Sequence, residues 1–213
     1  MGLIEILYAV SSSPLDDSGW STYLRHLPKN IQERILRYHR RQDRQATLFG
    51  KLLLREGLKK RGHHPARIHD LTWDPYGRPS LAGSIDFNIS HAGDYVVCGI
   101  TDHGRVGIDL EQIRTIELAD FESSFTPREW QRIQQATDKQ RSFYEYWTSK
   151  ESVIKADGRG LSVPLTDITI DGPKVTLSNT CWFIHRIDLN AGYVCHLATD
   201  MVDPTFRLSE VKF

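Results

Sequence analysis

From Leu3 to Val10 the chain is almost continuously apolar and rich in β-formers, and Ser11-Ser12-Ser13-Pro14 breaks the run, which predicts an opening strand. Ile31, Ile35 and Tyr38, then Leu48 and Leu52, recur at helical spacing. They predict helix over 31–60, interrupted near 40–43 and closed by Gly62 and Pro65. Trp73 to Pro79 is a turn-rich loop. Two strands are predicted at 95–100 and 105–111, with Thr101-Asp102-His103-Gly104 between them read as a hairpin turn. Thr126 is a good N-cap, with Pro127 at the first helical position and Glu129 at the third. A further helix spans about 140–156 and stops at Asp157-Gly158. Short strands follow around 167–170, 175–177, 182–189 and 193–198. The order predicts a mixed α/β (α+β) protein in which two halves, 1–100 and 101–213, share a plan of strand, helices and strands.

Composition narrows the class. The 213 residues are 39% hydrophobic and 25% charged, with 27 basic against 27 acidic side chains. That balance suits a globular enzyme and argues against a general nucleic-acid binder. No apolar run approaches the roughly 20 residues of a membrane helix, and the first residues read as a strand rather than a signal peptide. Cys98, Cys181 and Cys195, without any Cys-x-x-Cys, fit reduced thiols in a cytoplasmic protein.

Candidate chemistry concentrates in three segments. On a strand, Val106-Gly107-Ile108-Asp109-Leu110-Glu111 turns Val106, Ile108 and Leu110 to a core and Asp109 and Glu111 to the other face. Gly107 beside them leaves room for a ligand in this reading. Two carboxylates on one face repel, so the pair suggests a cation, and oxygen ligands favour magnesium, manganese or calcium over zinc. The bland alternative is two ordinary surface acids on a strand edge. In the second segment Trp147, Glu151 and Lys155 form one helical stripe, which a simple Glu–Lys pair would also explain. In the third, Ser90 and His91 end a strand and Arg78 sits on a Pro/Gly-braced loop. These groups can bind phosphate, or can be a buried histidine and a surface arginine. The other histidines are read as surface residues.

Taken in order, Gly77-Arg78-Pro79, Phe87-Asn88-Ile89-Ser90-His91, Val106 to Glu111, Phe125-Thr126-Pro127-Arg128-Glu129 and Trp147-Thr148-Ser149-Lys150-Glu151-Ser152-Val153-Ile154-Lys155 resemble the motif set of the 4′-phosphopantetheinyl transferases. Gly160 to Leu165 fits the same pattern, and the resemblance spans about 28–170. The length is similar to the longer, surfactin-synthetase-activating (Sfp-like) type rather than the shorter trimeric synthases.

The resemblance implies a monomer of two similar halves with coenzyme A in the cleft between them. It implies transfer of 4′-phosphopantetheine to a serine of an apo acyl or peptidyl carrier protein, with release of adenosine 3′,5′-bisphosphate. Asp109, Glu111 and Glu151 would hold Mg2+, with Mn2+ as the alternative. Lys155 and His91 would act on the pyrophosphate, and either Glu151 or a metal-bound water would take the serine proton. Coenzyme A would meet Arg44, Thr47, Arg78, Ser90, His91, Lys150 and Lys155, with Lys29, Arg34 and Arg37 as further basic candidates. The segment directly after Glu111, where the incoming serine must arrive, itself offers Ile113, Arg114, Ile116, Leu118 and Phe121 for carrier docking; the alternative is that Ile116, Leu118 and Phe121 simply anchor the loop to the core. Competing readings are a magnesium-dependent phosphohydrolase and a silent module that binds coenzyme A or carriers.

Overall fold

β1 (Leu3–Val10) is buried on both faces, and that places it in an inner layer. In the computed structural model, which describes residues 2–213, Ile4 and Ile6 point one way and Leu7 and Ala9 the other. β1 lies in a sheet of order β10-β1-β5-β4 with β4 (Asp86–Ala92), β5 (Tyr95–Thr101) and β10 (Thr205–Glu210). A second sheet has the order β6-β9-β8-β7: β6 (Val106–Gln112), β7 (Lys174–Leu177), β8 (Thr180–Arg186) and β9 (Tyr193–Thr199). The sheets face each other through Ile4, Ile6 and Val97 on one side and Ile108, Cys195 and Leu197 on the other. The 20-residue helix α3 (Arg41–Lys60) covers the outer face of the first sheet, where Leu48, Leu52 and Leu53 meet Leu7, Phe87 and Cys98. The corresponding cover of the second sheet is α5 (Lys139–Asp157), through Val153, Ile154 and Ala156. The mixed α/β architecture is therefore two sheet-plus-helix halves, back to back.

The smaller elements are α1 (Asp17–Leu24), α2 (Lys29–Leu36), α4 (Pro127–Gln135) and the pair β2 (Thr72–Trp73) and β3 (Pro79–Ser80). Local signals explain most boundaries. Thr126 and Glu129 form the reciprocal capping box, and α5 ends at Gly158 with φ 95°, a left-handed cap that suits glycine. No helix among the described residues is long and apolar enough to cross a membrane.

Three expectations need correction, and one helix, α1, is not expected from the sequence. The turn after β5 closes no hairpin: β5 pairs with β1 and β4, whereas β6 pairs with β9, so the chain crosses between sheets there. Arg61 and His63, near the end of α3, both bind Asp102 and pin this crossing. Residues 167–170 form no strand. α1 carries no buried residue and no strong apolar period, so only its Asp16 cap marked it. Finally, β10 returns to run parallel beside β1, Leu3 opposite Thr205, so the last residues belong to the sheet of the first half.

Candidate active site

The two halves meet along an unusual seam. β4 and β6 are edge strands of different sheets, yet three side chains of β4 cap the open backbone of β6. Asp86 Oδ2 accepts from Val106 N at 2.8 Å, Asn88 Oδ1 from Ile108 N at 3.0 Å and Ser90 Oγ from Leu110 N at 3.2 Å. Every second residue of each strand takes part, so the seam has a definite register.

At the Ser90 end of this seam the predicted residues converge. Lys155 Nζ reaches from α5 to Asp109 Oδ1 at 2.5 Å and Ser90 Oγ at 3.1 Å. The sequence alternative, a Lys155–Glu151 pair, is therefore replaced by a longer-range contact. Asp109 is buried, and its second oxygen, Oδ2, has no hydrogen-bond partner among the described residues. Glu111 has its pKa pushed up to about 7, first by burial and then by Asp109, with Glu151 adding to it. Burial and Asp109 also raise Glu151. Burial alone would lower Lys155, but Asp109, Glu151 and Glu111 outweigh it and keep the ammonium charged. His91 reaches solvent, yet partial desolvation and then the charge of Lys155 hold it below the usual histidine range, against the pull of Asp43. Among the described residues no three His, Cys, Asp or Glu side chains stand in metal-holding geometry, and it is Lys155 that lies against Asp109.

Gly107 leaves room for α5, not for a ligand. A Cβ there would lie 2.2 Å from both Ala156 N and Ser152 O. The glycine lets β6 touch the helix backbone and brings Lys155 within reach of Asp109.

Other predicted residues fall elsewhere. Thr47 donates to Asp43 O at 2.7 Å and lines a cavity of about 450 Å³ with Arg34, Arg37, Lys51 and Trp73. Arg44 donates to Tyr38 O and lines a separate cavity with Trp20 and His39. Arg78 is no open phosphate fork: Asp86 and the carbonyls of Val106 and Lys155 engage it, and only 9% of its side chain is exposed. Lys150 is fully buried on the far side of α5, 2.8 Å from Glu129 Oε2, and donates to Leu165 O and Ser124 O. It points away from Glu151 and Lys155, so it is not in reach of a ligand at that centre. Along 113–121, Leu118 is buried and Phe121 packs edge-on against Phe143 and Trp147, so both anchor the segment. Ile113 and Ile116 are half-buried against the same cluster, and Arg114 is exposed.

The sequence reading missed several residues that shape the site. Lys51 lies one turn beyond Thr47, facing the same cavity, and burial lowers its pKa to about 8. The i, i+4 spacing from Thr47 was its available signal. Asp86 and Asn88 alternate with Phe87 and Ile89 in a strand, which marks a polar face. His196, read as a surface residue, is buried beside Thr148, and only the apolar flanks of β9 hinted at that.

Comparison with known proteins identifies the family. The profile of the 4′-phosphopantetheinyl transferase superfamily matches residues 105–198, and that of the 4′-phosphopantetheinyl transferase N-terminal region matches residues 13–102. The 4′-phosphopantetheinyl transferase gsp of Aneurinibacillus migulanus is 33% identical over 171 residues, covering 79% of this chain and 72% of that protein. The 4′-phosphopantetheinyl transferase Sfp of Bacillus subtilis (strain 168) is 30% identical over 206 residues, covering 92% of this chain and 86% of its own. A mouse relative, the L-aminoadipate-semialdehyde dehydrogenase-phosphopantetheinyl transferase of Mus musculus, is 30% identical over 169 residues, covering 71% of this chain and 55% of that protein. With both profiles matched in order along the chain and relatives of 30% identity or more covered over most of their length, this protein belongs to the 4′-phosphopantetheinyl transferases, and to their Sfp-like type.

Proposed function

We propose that this transferase takes the 4′-phosphopantetheine arm from coenzyme A and places it on a serine of an apo acyl or peptidyl carrier protein. The reaction depends on Mg2+, or on Mn2+ in its place, and releases adenosine 3′,5′-bisphosphate. The observation that carries this reading is the convergence of Asp109, Glu111 and Glu151 on Lys155 at the seam.

The carboxylates suit a divalent ion. A buried Asp109 oxygen lacks a partner among the described residues, and burial and then the charge of Asp109 hold both Glu111 and Glu151 above their usual range. Asp109, Glu111 and Glu151 would hold the ion, which when bound supplies positive charge to the pyrophosphate oxygens. Lys155 stays ionised and offers a fixed positive charge for the same oxygens. His91 is neutral at pH 7 and so offers a phosphate a hydrogen bond rather than a charge. Of the proton acceptors left open by the sequence, the raised Glu151 is the better matched to a hydroxyl. The cavity of Arg34, Arg37, Lys51, Thr47 and Trp73 suits the nucleotide end: it groups three cations, and Arg34 lies 4.3 Å over the Trp73 ring.

The test is to incubate the protein with an apo carrier, coenzyme A and magnesium, and to weigh the carrier. A gain of one phosphopantetheine that chelation abolishes supports the proposal. Cleavage of coenzyme A without a mass gain would instead support a phosphohydrolase.

A further inference from the structure

Arg78 and Asp86 occupy the opposite end of the seam from Lys155 Nζ, and their contacts are spread over three elements. Nη1 and Nη2 of Arg78 bind Asp86 Oδ1 and Oδ2 at 2.8 and 2.9 Å. Nη2 also donates to Val106 O at 3.0 Å, and Nε donates to Lys155 O at 3.0 Å. Asp86 Oδ2 in turn accepts from Val106 N at 2.8 Å. The pair thus binds both backbone polar groups of Val106, at the start of β6, and the main-chain carbonyl of Lys155 itself. That carbonyl lies in the last turn of α5, where helix oxygens lack intrahelical donors and a cation is favourable. Asp74 Oδ1 accepts from Arg78 N at 2.8 Å and from Tyr76 N at 2.9 Å, so the loop carrying the guanidinium is braced as well.

We propose that Arg78 and Asp86 are a positioning pair for the transfer reaction, fixing the register at which Lys155 meets Asp109 and leaving the nucleotide to other residues. The proposal rests on the transferase reading above. One guanidinium touches the backbone of Lys155 and that of β6 three residues before Asp109, so a slip of either element must break the same cluster. For Arg78 to bind a phosphate it would have to leave a two-pronged carboxylate and two carbonyls, with only 9% and 12% of the paired side chains exposed. That exchange would leave the largely buried Asp86 with only the Val106 amide and a longer contact to the more exposed Arg105, at 3.5 Å.

The test compares Arg78→Lys, Asp86→Asn and the double variant with the parent protein, using coenzyme A and its form lacking the 3′-phosphate. The expected result is a kcat lower by roughly 10- to 100-fold, the loss typical of reacting groups displaced by about 1 Å. The KM for both donors should stay within about threefold, and the double variant should be little worse than either single one. A raised KM for coenzyme A alone, with kcat kept and Asp86→Asn normal, would overturn the proposal by showing that Arg78 reads the phosphate. Folded variants with parental kcat and KM but a lowered melting temperature would overturn it too, since the pair would then serve stability alone. Amide exchange without any ligand gives an independent reading if the parent transfers nothing from coenzyme A, a result that counts against the donor assignment only. Faster exchange in Asp86→Asn confined to Val106, Ile108, Leu110 and Gly158 supports the pair's role, and unchanged exchange there refutes it.

Discussion

Replacing Lys150 by methionine should destabilise the protein strongly and leave donor binding unchanged in the folded molecules. Lys150 and Glu129 have side chains only 0% and 2% exposed. Burial holds the Lys150 ammonium below the usual lysine range, and Glu129 pulls it back up. Methionine matches the length of the stem but brings no charge. The substitution leaves Glu129 with Thr126 N at 2.9 Å, Thr126 Oγ1 at 3.0 Å and Ile170 N at 2.7 Å, all neutral donors. It also strips a donor from the carbonyls of Leu165 and Ser124. Removing one partner of such a pair costs about 3–5 kcal/mol. For a domain of this size that corresponds to a melting temperature lower by roughly 6–20 °C. Replacing Glu129 by glutamine as well should recover part of the loss, because the stranded charge disappears. Denaturant titration gives the stability, and calorimetry with coenzyme A gives the affinity. A stability loss below about 1 kcal/mol together with weakened coenzyme A binding would refute the reasoning and restore Lys150 as a ligand contact.

Four further outcomes are expected. Gly107→Ala should lose at least the roughly 1–3 kcal/mol typical of overpacking, because the new methyl meets the α5 backbone at 2.2 Å; unchanged melting would show that α5 shifts freely. Lys155→Ala should lower turnover at least tenfold, a barrier change of about 1.4 kcal/mol, with a smaller effect on melting; a loss seen only in stability would reduce Lys155 to a structural partner of Asp109. His196 is held neutral with a pKa of about 4, chiefly by burial and then by Arg186, and Glu145 at 3.4 Å is too distant for a strong charge-assisted bond. Its contribution, about 3 kcal/mol, is therefore complete above the unfolded pKa near 6.5 and is lost as pH falls toward 4, so denaturant midpoints should drop over that window in the parent and less so in His196→Gln. Changing Ile113 to alanine and Arg114 to glutamate together should weaken carrier binding in calorimetry and spare coenzyme A, and loss of both would make the segment structural.

Local order determined much of this protein in advance. The β1 run, the Thr126–Glu129 capping box and the Asp157-Gly158 stop each predict an element or boundary within a residue or two of where the structure has it, because caps and periodicity act over a single turn or strand. The alternation along β6 likewise assigned Val106, Ile108 and Leu110 to a core and Asp109 to the opposite face. Partners distant in sequence were not legible. Nothing local tells Lys155 to bind Asp109, 46 residues away, rather than Glu151 on the next turn. The crossing after β5, the return of β10 to β1 and the burial of Lys150 against Glu129 depend on which surfaces the packed layers bring together. Gly107 shows the division most plainly: its place beside the carboxylates was readable, but only the approach of α5 decided that the missing side chain makes room for a helix.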